Sequence, residues 1–491
     1  MRIAFHFDAA AWAIAPARRT VETLASLLET PYRICAPGAA EAAGEALVHV
    51  GAAATCPAHV ATAIEVEGWP AWQAATLERI VVAGEPVACP PGTATSAADV
   101  GRFPAAWLRA AAFTLSREEE FQDRRRDQWD CYSGAYTRLS AIGLLERPFI
   151  NHLARSLERR LEAHAAARGE TLEHVPRWKD GARFAVALTH DVDDVTLRSL
   201  PCAWRLLRQA RSPASYAFRG GLTAMARALT RAPGAHDQYW SFERWMCEEE
   251  RRGFRSSFYI CSPAPTQRHE YDALYSLDDP LQYEGRRMRV SGLLREMRRR
   301  GHEVGLHGSY MSHRSPMELE RQRGQIELAL GARVSGTRQH FLRFEIGTTW
   351  TAQAAAGIGY DTTLGYNEAL GFRAGIAAPF RPFDPTSGES YGPWQLPLTA
   401  MDGTLFRALK LDEDAAVHAM SRHLDAVEAV GGLAVLLWHP NAADERSFPG
   451  WWATYLRVLD ELARRGAWVA SAGELSQWWT ERTARLSPPR L

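Results

Sequence analysis

The sequence predicts an α/β protein: a (β/α) barrel of seven or eight units preceded by a smaller α/β and helical domain. Two observations carry this. From Arg183 onward, short apolar runs of strand length alternate regularly with segments of helical period, the pattern of a parallel sheet whose strands are joined by crossover helices. Four of five marked segments then place an acid, histidine or arginine just after such a run: Thr189-His190-Asp191-Val192-Asp193, Gly305-Leu306-His307, Arg338-Gln339-His340, Tyr360-Asp361 and Leu437-Trp438-His439. Barrels collect catalytic groups at the carboxyl ends of their strands in this way.

Taken in order, residues 2–7 and 46–50 read as strands and 20–28 as a helix, so the chain opens as a small α/β unit. Helical spacing returns at 105–121 and 148–167, and Gly169 follows the last periodic residue as a helix stop. The boundary falls near Val175, giving domains 1–175 and 176–491. In the second domain, strands are expected at 184–188, 256–260, 303–306, 334–336, 359–364, 394–398, 433–437 and 468–471. Helices are expected at 242–251, 293–300, 316–330, 350–356, 413–430 and 452–465. About 300 residues holding seven or eight such units suit a barrel, although an open doubly wound sheet accounts for the same alternation.

Composition excludes several classes. The 57 basic and 57 acidic residues of the 491-residue chain balance, so nothing marks a nucleic-acid partner. The seven cysteines are scattered without C-x-x-C spacing, as buried free thiols would be. No apolar run reaches the ~18 residues of a membrane span, and no basic stretch precedes an apolar one at the amino terminus. A soluble cytoplasmic protein is expected.

The chemistry concentrates in the marked segments. Asp191 and Asp193 are two apart on extended backbone and so face one side; two such carboxylates repel unless a cation or proton lies between them. A D-x-D pair alone is equally the mark of a solvated turn or helix N-cap. His307, Arg338 and His439 at the ends of three further strands turn the balance toward a joint site.

In motif order the chain resembles the polysaccharide deacetylase family, the NodB homology domain or carbohydrate esterase family 4, over about residues 183–475. Thr189-His190-Asp191-Val192-Asp193 is similar to that family's T-F-D-V-D-G form. The resemblance implies a NodB-type barrel with a divalent metal, zinc by its mixed donors. It implies Asp191 as general base, Asp193 and His307 as metal ligands, Arg338 as the residue orienting the base and His439 as general acid. Phe113 to Glu119, Gly143 to Pro148, Gly371 to Gly375 and Met401 to Leu405 resemble a long bacterial branch with an amino-terminal extension.

The chain departs from the family at Met311, where the second metal histidine of H-x-x-x-H would stand, and in lacking the proline and glycine of the third motif. His340, two residues after Arg338, is the preferred third ligand, with His313 the alternative. The expected reaction is hydrolysis of an N-acyl, chiefly N-acetyl, amide on an amino sugar or glycan precursor. A non-sugar amide or cyclic ureide on the same barrel, or a catalytically silent glycan-pathway binding module, are the alternatives. Residues 271–283, with Tyr275, Asp278 and Asp279, read either as a sugar subsite or as a polar loop. Tyr360-Asp361 and Gly371-Phe372-Arg373 are expected to contact substrate, and Trp438 to cover the cleft.

Overall fold

The structure is a computed structural model that describes residues 1–66, 69, 77–82, 85–89, 102–196, 200–209, 216–229, 237–262, 269 and 271–488. Its amino-terminal region holds a parallel sheet of β1 (Arg2–Phe7), β2 (Tyr32–Cys35), β3 (Glu45–Gly51) and β4 (Thr62–Glu65). After an antiparallel hairpin, β5 (Glu78–Val82) and β6 (Glu85–Cys89), β7 (Arg102–Phe103) completes the order β2-β1-β3-β4-β7. Helices Ala15–Ser26, Ala105–Leu115 and Phe149–Ala167 cover it.

The carboxyl-terminal region is built on β8 (Ala185–Val192), β9 (Ser257–Cys261), the hairpin β10 (Pro280–Tyr283) and β11 (Arg286–Arg289), β12 (Glu303–Gly308) and β13 (Gly336–Gln339). It continues through β14 (Tyr360–Asp361), β15 (Trp394–Gln395), β16 (Ala400–Met401), β17 (Leu433–Leu437) and β18 (Trp468–Ala470). The strand order is β15-β14-β13-β12-β9-β8-β17-β16, parallel throughout, with β18 on the first half of β8 and β9 on its second half. β15 and β16 are the two edges, yet only residues 396–399 separate them, a link that reaches at most about 18 Å. The sheet must therefore curl toward closure. The two edge strands are not hydrogen-bonded to each other among the described residues.

Alternation along β8 separates two layers, as strand geometry requires. Ala185 and Ala187 share an apolar cluster with Tyr259, Val435 and Leu437, whereas Phe184, Val186 and Leu188 pack with Trp438 and Leu459 against the helices. The small alanines and Gly305 leave room for the Tyr259 ring: a Cβ at Gly305 would lie 2.5 Å from it. The inner cluster also contains Ile3, Phe5 and Phe149, so apolar packing runs unbroken from the amino-terminal sheet into the curl.

All eight expected carboxyl-terminal strands have counterparts. The two-residue β16 escaped the reading because nothing so short has a period. The hairpin β10–β11 lies across part of the stretch weighed as a sugar subsite, and helices Leu200–Gln209, Tyr216–Leu229 and Ala472–Leu486 were not anticipated.

One buried base gives the fold a pH dependence. His423, on helix Glu413–Glu428, stacks on Phe372 at 5.2 Å, is 1% exposed, and neither ring nitrogen has a hydrogen-bond partner. Burial pushes its pKa from 6.5 down to about 4. The unfolded chain thus binds this proton first on acidification, so the contribution is complete above pH 6.5 and drains away as pH falls toward 4. The loss is on the order of 3 kcal/mol. Thermal unfolding between pH 7 and 4 should show a steeper fall for wild type than for His423→Leu; parallel curves would refute this assignment.

Candidate metal and catalytic site

The carboxyl ends of β8, β9, β12, β13 and β17 open into a cavity of about 740 Å³ lined by Asp191, Asp193, His307, His340, Asp402 and His439. Alternation aims these groups. On β8, His190 turns outward to Glu249 and Trp438, while Asp191 and Asp193 turn into the cavity.

Asp191 is 3% exposed and fixed by Arg338, whose Nη1 donates to Asp191 Oδ1 at 3.0 Å and to Thr189 Oγ1 at 2.8 Å. The guanidinium lies 4.8 Å above the Tyr259 ring and also donates from Nε to Thr362 O. The Gly305 gap that admits Tyr259 therefore also sets the height of Arg338.

Three donor atoms converge beside this pair. His307 Nδ1 meets Arg338 O at 2.9 Å, and His340 Nε2 meets Tyr271 O at 2.7 Å. Carbonyl oxygens only accept, so these two nitrogens carry the protons of the neutral rings, which in that form have lone pairs on His307 Nε2 and His340 Nδ1. Those lone pairs face one another at 2.9 Å, and Asp193 Oδ1 lies 3.2 Å and 3.3 Å from them. Asp193 Oδ1 is buried without a hydrogen-bond partner. In a tetrahedral zinc site with ligands near 2.0–2.1 Å, neighbouring ligand atoms stand about 3.3 Å apart. The three atoms fit one face of that polyhedron. Burial raises the Asp193 pKa, but His340, His307 and His439 outweigh it and hold the carboxyl well below its usual range. Burial likewise disfavours charge on His340, and Asp193 more than offsets it.

Cys261 ends β9 in register with His307, and its sulfur belongs to the same group of potential ligands, all within 4.8 Å of one another. Sequence reading placed it among the buried thiols; its position at a strand end, like that of His307, was the available signal. Burial, Asp193 and Asp191 push its pKa well above 9.

His439 sits across the cavity. Its Nδ1 pairs with Asp402 Oδ1 at 2.8 Å, and its backbone N–H donates to Asp402 Oδ2 at 2.8 Å. Nε2 is left toward the cavity, 3.6 Å from Asp193 Oδ2. Burial lowers the His439 pKa, but Asp402, Asp193 and Asp191 raise it further, to about 9. Asp402 follows the two-residue strand β16 and lies within the Met401 to Leu405 string.

His313 stands apart. It is 2% exposed on the turn Ser312–Arg314, outside the donor group, and burial with Arg343 and Arg314 pushes its pKa down to about 3. Met311 meets Arg343 through its sulfur at 2.9 Å. The segment after His340 is strained: Phe341 and Leu342 have φ of 60° and 54°, a conformation costing on the order of 1–3 kcal/mol each. The reward is a wall, since Phe341 is held among His340, Tyr271 and Trp129 at 4.6, 5.0 and 5.1 Å. Gly308, next to His307, is crowded: a Cβ there would lie 2.4 Å from Gln339.

Several expected contacts are structural. Tyr275 is buried, receiving Cys261 N–H and donating to Val192 O; Asp278 pairs with Arg289, and Asp279 caps Ser276. Only Tyr271 of that stretch reaches the cavity. Tyr360 donates to Glu303, Asp361 accepts from Thr363 and Gln353, and Arg373 pairs with Glu120. Trp438 faces the helix layer at 1% exposure beside Tyr455, because its neighbour His439 takes the inward direction. The amino-terminal region supplies a cavity wall: Asp127, Trp129, Ser133 and Tyr136, anchored by Arg343 to Asp130 at 2.6 Å and Ser133 to Glu368 at 2.5 Å.

No family model and no curated protein sequence matches the chain. Solved structures do. A probable polysaccharide deacetylase from Pseudomonas aeruginosa PAO1 is similar at 14% identity, TM-score 0.42, over 66% of this chain and 99% of that one. The allantoinase Puue gives 13%, 0.41, 62% and 93%, and the family 4 carbohydrate esterase from Streptomyces lividans in complex with acetate 12%, 0.28, 59% and 92%. At such identities and TM-scores the likeness carries no functional argument. No helix among the described residues is long and apolar enough to cross a membrane.

The donor geometry yields a stoichiometry. Plasma mass spectrometry of purified protein should find about one equivalent of zinc or a similar divalent ion. His307→Ala, His340→Ala and Asp193→Asn should lose it, and His313→Ala should keep it. Metal retained by His340→Ala would remove that residue from the ligand set.

Proposed function

We propose that this chain is a divalent-metal-dependent amide hydrolase that removes an N-acetyl or similar small N-acyl group from an amino sugar or glycan precursor. The observation that carries this reading is the convergence of Asp193 Oδ1, His307 Nε2 and His340 Nδ1 at 2.9–3.3 Å, flanked by an acid held by an arginine and a histidine held by an acid.

When bound, a divalent ion such as zinc supplies Lewis acidity to the reacting carbonyl and to water. Arg338 engages Asp191 Oδ1, which leaves Oδ2, 3.8 Å from His307 Nε2, as the base that takes the proton from attacking water. Asp402 holds the Nδ1 proton of His439 and stabilises the imidazolium, so that Nε2 can donate to the departing nitrogen. The C–O bond forms, the C–N bond breaks, and a carboxylate and free amine leave. The two side chains then return to their starting states by exchange with solvent.

The cavity volume lies in the small-ligand range. Its lining combines the aromatic residues Trp129, Tyr271, Phe341 and Trp451 with the polar residues Gln128, Asn367 and Glu368. That combination supports a short saccharide as the substrate.

Asp191→Asn should retain its metal yet release acetate from N-acetylated amino sugars at least ~100-fold more slowly; full activity in this variant would end the base assignment. The cleaved member of the panel would name the sugar, and hydrolysis of ureides with every N-acyl sugar left intact would end the substrate assignment.

The His439 pair makes a separate prediction. A donor held up to about 9 is protonated at neutral pH, so kcat should fall as pH rises through that value. Removing the partner charge in Asp402→Asn should move this limb to lower pH, with much of the activity recovered on mild acidification. An unmoved limb would assign the donor elsewhere.

A further inference from the structure

Between β8 and helix Phe242–Glu250 the chain inserts the two helices Leu200–Gln209 and Tyr216–Leu229. They leave the same rim as the site, since Asp193 and Asp194 before them and Tyr239 after them all line the cavity. Charge is segregated here. In a chain balanced at 57 basic and 57 acidic residues, positions 195–236 hold seven arginines and neither Asp nor Glu.

One face of the pair is anchored. Ala203 and Ala224 are buried in the cluster that contains Trp245 and Trp452. Gly221 brings the helices so close that a Cβ there would lie 2.7 Å from Leu207 Cγ. The other face meets water. Leu200, Trp204 and Arg208 form an i, i+4, i+8 stripe on the first helix, and Leu222 and Leu229 lie seven apart on the second. Leu200 is 51%, Trp204 59%, Leu222 50% and Leu229 73% exposed, and Arg208 and Arg219 are exposed beside them. Four of the nine exposed large apolar side chains among the described residues thus sit on one helical pair.

We propose that this face docks the protein on an anionic phospholipid bilayer. Exposed Leu and Trp on helices with arginine heads are the pattern of interfacial helices, whose apolar side chains enter the headgroup boundary while cations meet lipid phosphate. Charge decides against other occupants. A second copy would set arginines against arginines across a two-fold interface, and a nucleic acid would give Leu and Trp no apolar phase to enter. Docking would bring the cavity rim to the headgroup layer. The proposal uses no part of the hydrolase reading and stands or falls apart from it.

The test is flotation of the purified full-length protein with vesicles of neutral phosphatidylcholine, or of the same lipid with about 30% phosphatidylglycerol, at low salt and at about 0.5 M salt. Wild type should float with anionic vesicles, much less with neutral ones, and weaken with salt. Arg208→Glu with Arg219→Glu should lower partitioning at least ~25-fold, at roughly five-fold for each arginine removed. Trp204→Ser with Leu222→Ser should weaken it at unchanged charge. Unchanged thermal unfolding and metal content in both variants keep the comparison sound. Wild type left in the soluble fraction, equal binding to neutral vesicles, or variants that bind like wild type would overturn the proposal. So would a concentration-dependent dimer abolished by Trp204→Ser, which would make a second copy the occupant.

Discussion

The architecture at the rim turns on one electrostatic conflict. Two imidazole lone pairs and a carboxylate oxygen are pressed to within 2.9–3.3 Å of each other, with both rings buried. Each ring is locked in that tautomer by a backbone carbonyl, Arg338 O for one and Tyr271 O for the other. Three acceptors in contact are unfavourable unless something positive sits among them. Side chains free to relax would rotate apart, so the surrounding structure must hold them. The strained Phe341-Leu342 turn, the Gln339 contact over Gly308 and the β12–β13 register that sets His307 opposite Arg338 all serve that hold.

Strand ends were legible in the sequence because a buried parallel strand is a short apolar run and the residue after it is conspicuous when charged. That rule found Asp191, Asp193, His307, Arg338, His340 and His439, all of which the fold brings to one cavity or directly behind its wall. His340 lies with Asp193 and His307 because two residues along extended backbone return to the same side, whereas His313 is buried elsewhere, 2% exposed beyond a turn. The rule failed where polarity was absent or misleading. Cys261 is apolar by composition and merges with its own strand. Asp402 follows a strand of two residues, too short to show a period. Tyr275, Asp361 and Arg373 are polar groups satisfied inside the core, and a single sequence does not say whether a polar residue's partner is protein or ligand.

The amino-terminal region brings several of the marked strings together in space. Phe113 to Glu119 and Gly371 to Gly375 are far apart in sequence but form one buried network. Glu120 accepts from Arg117 Nε at 2.9 Å and from Arg373 Nη2 at 2.6 Å, Arg117 also reaches Glu119 at 2.6 Å, and the Arg117 guanidinium donates to Arg373 O. Gly143 to Pro148 joins through Leu145, whose carbonyl accepts Phe372 N–H at 2.8 Å and lies where a Cβ on Gly371, at φ 132°, would fall.

Such a network is a costly way to fasten two regions. Burying Arg117, Glu120 and Arg373 at 1% exposure or less removes several kcal/mol of hydration per ion, and apolar side chains of equal volume would hold the regions at least as tightly. What full pairing adds is a single geometry, because any displacement strands a buried charge. That geometry matters to the site: the same amino-terminal stretch continues into Asp127, Trp129 and Tyr136 on the cavity wall, and Trp129 is the ring against which Phe341, next to His340, is packed. The buried charges thus fix the far wall of the cavity relative to the donor atoms, so the amino-terminal region belongs to the site rather than being appended to it.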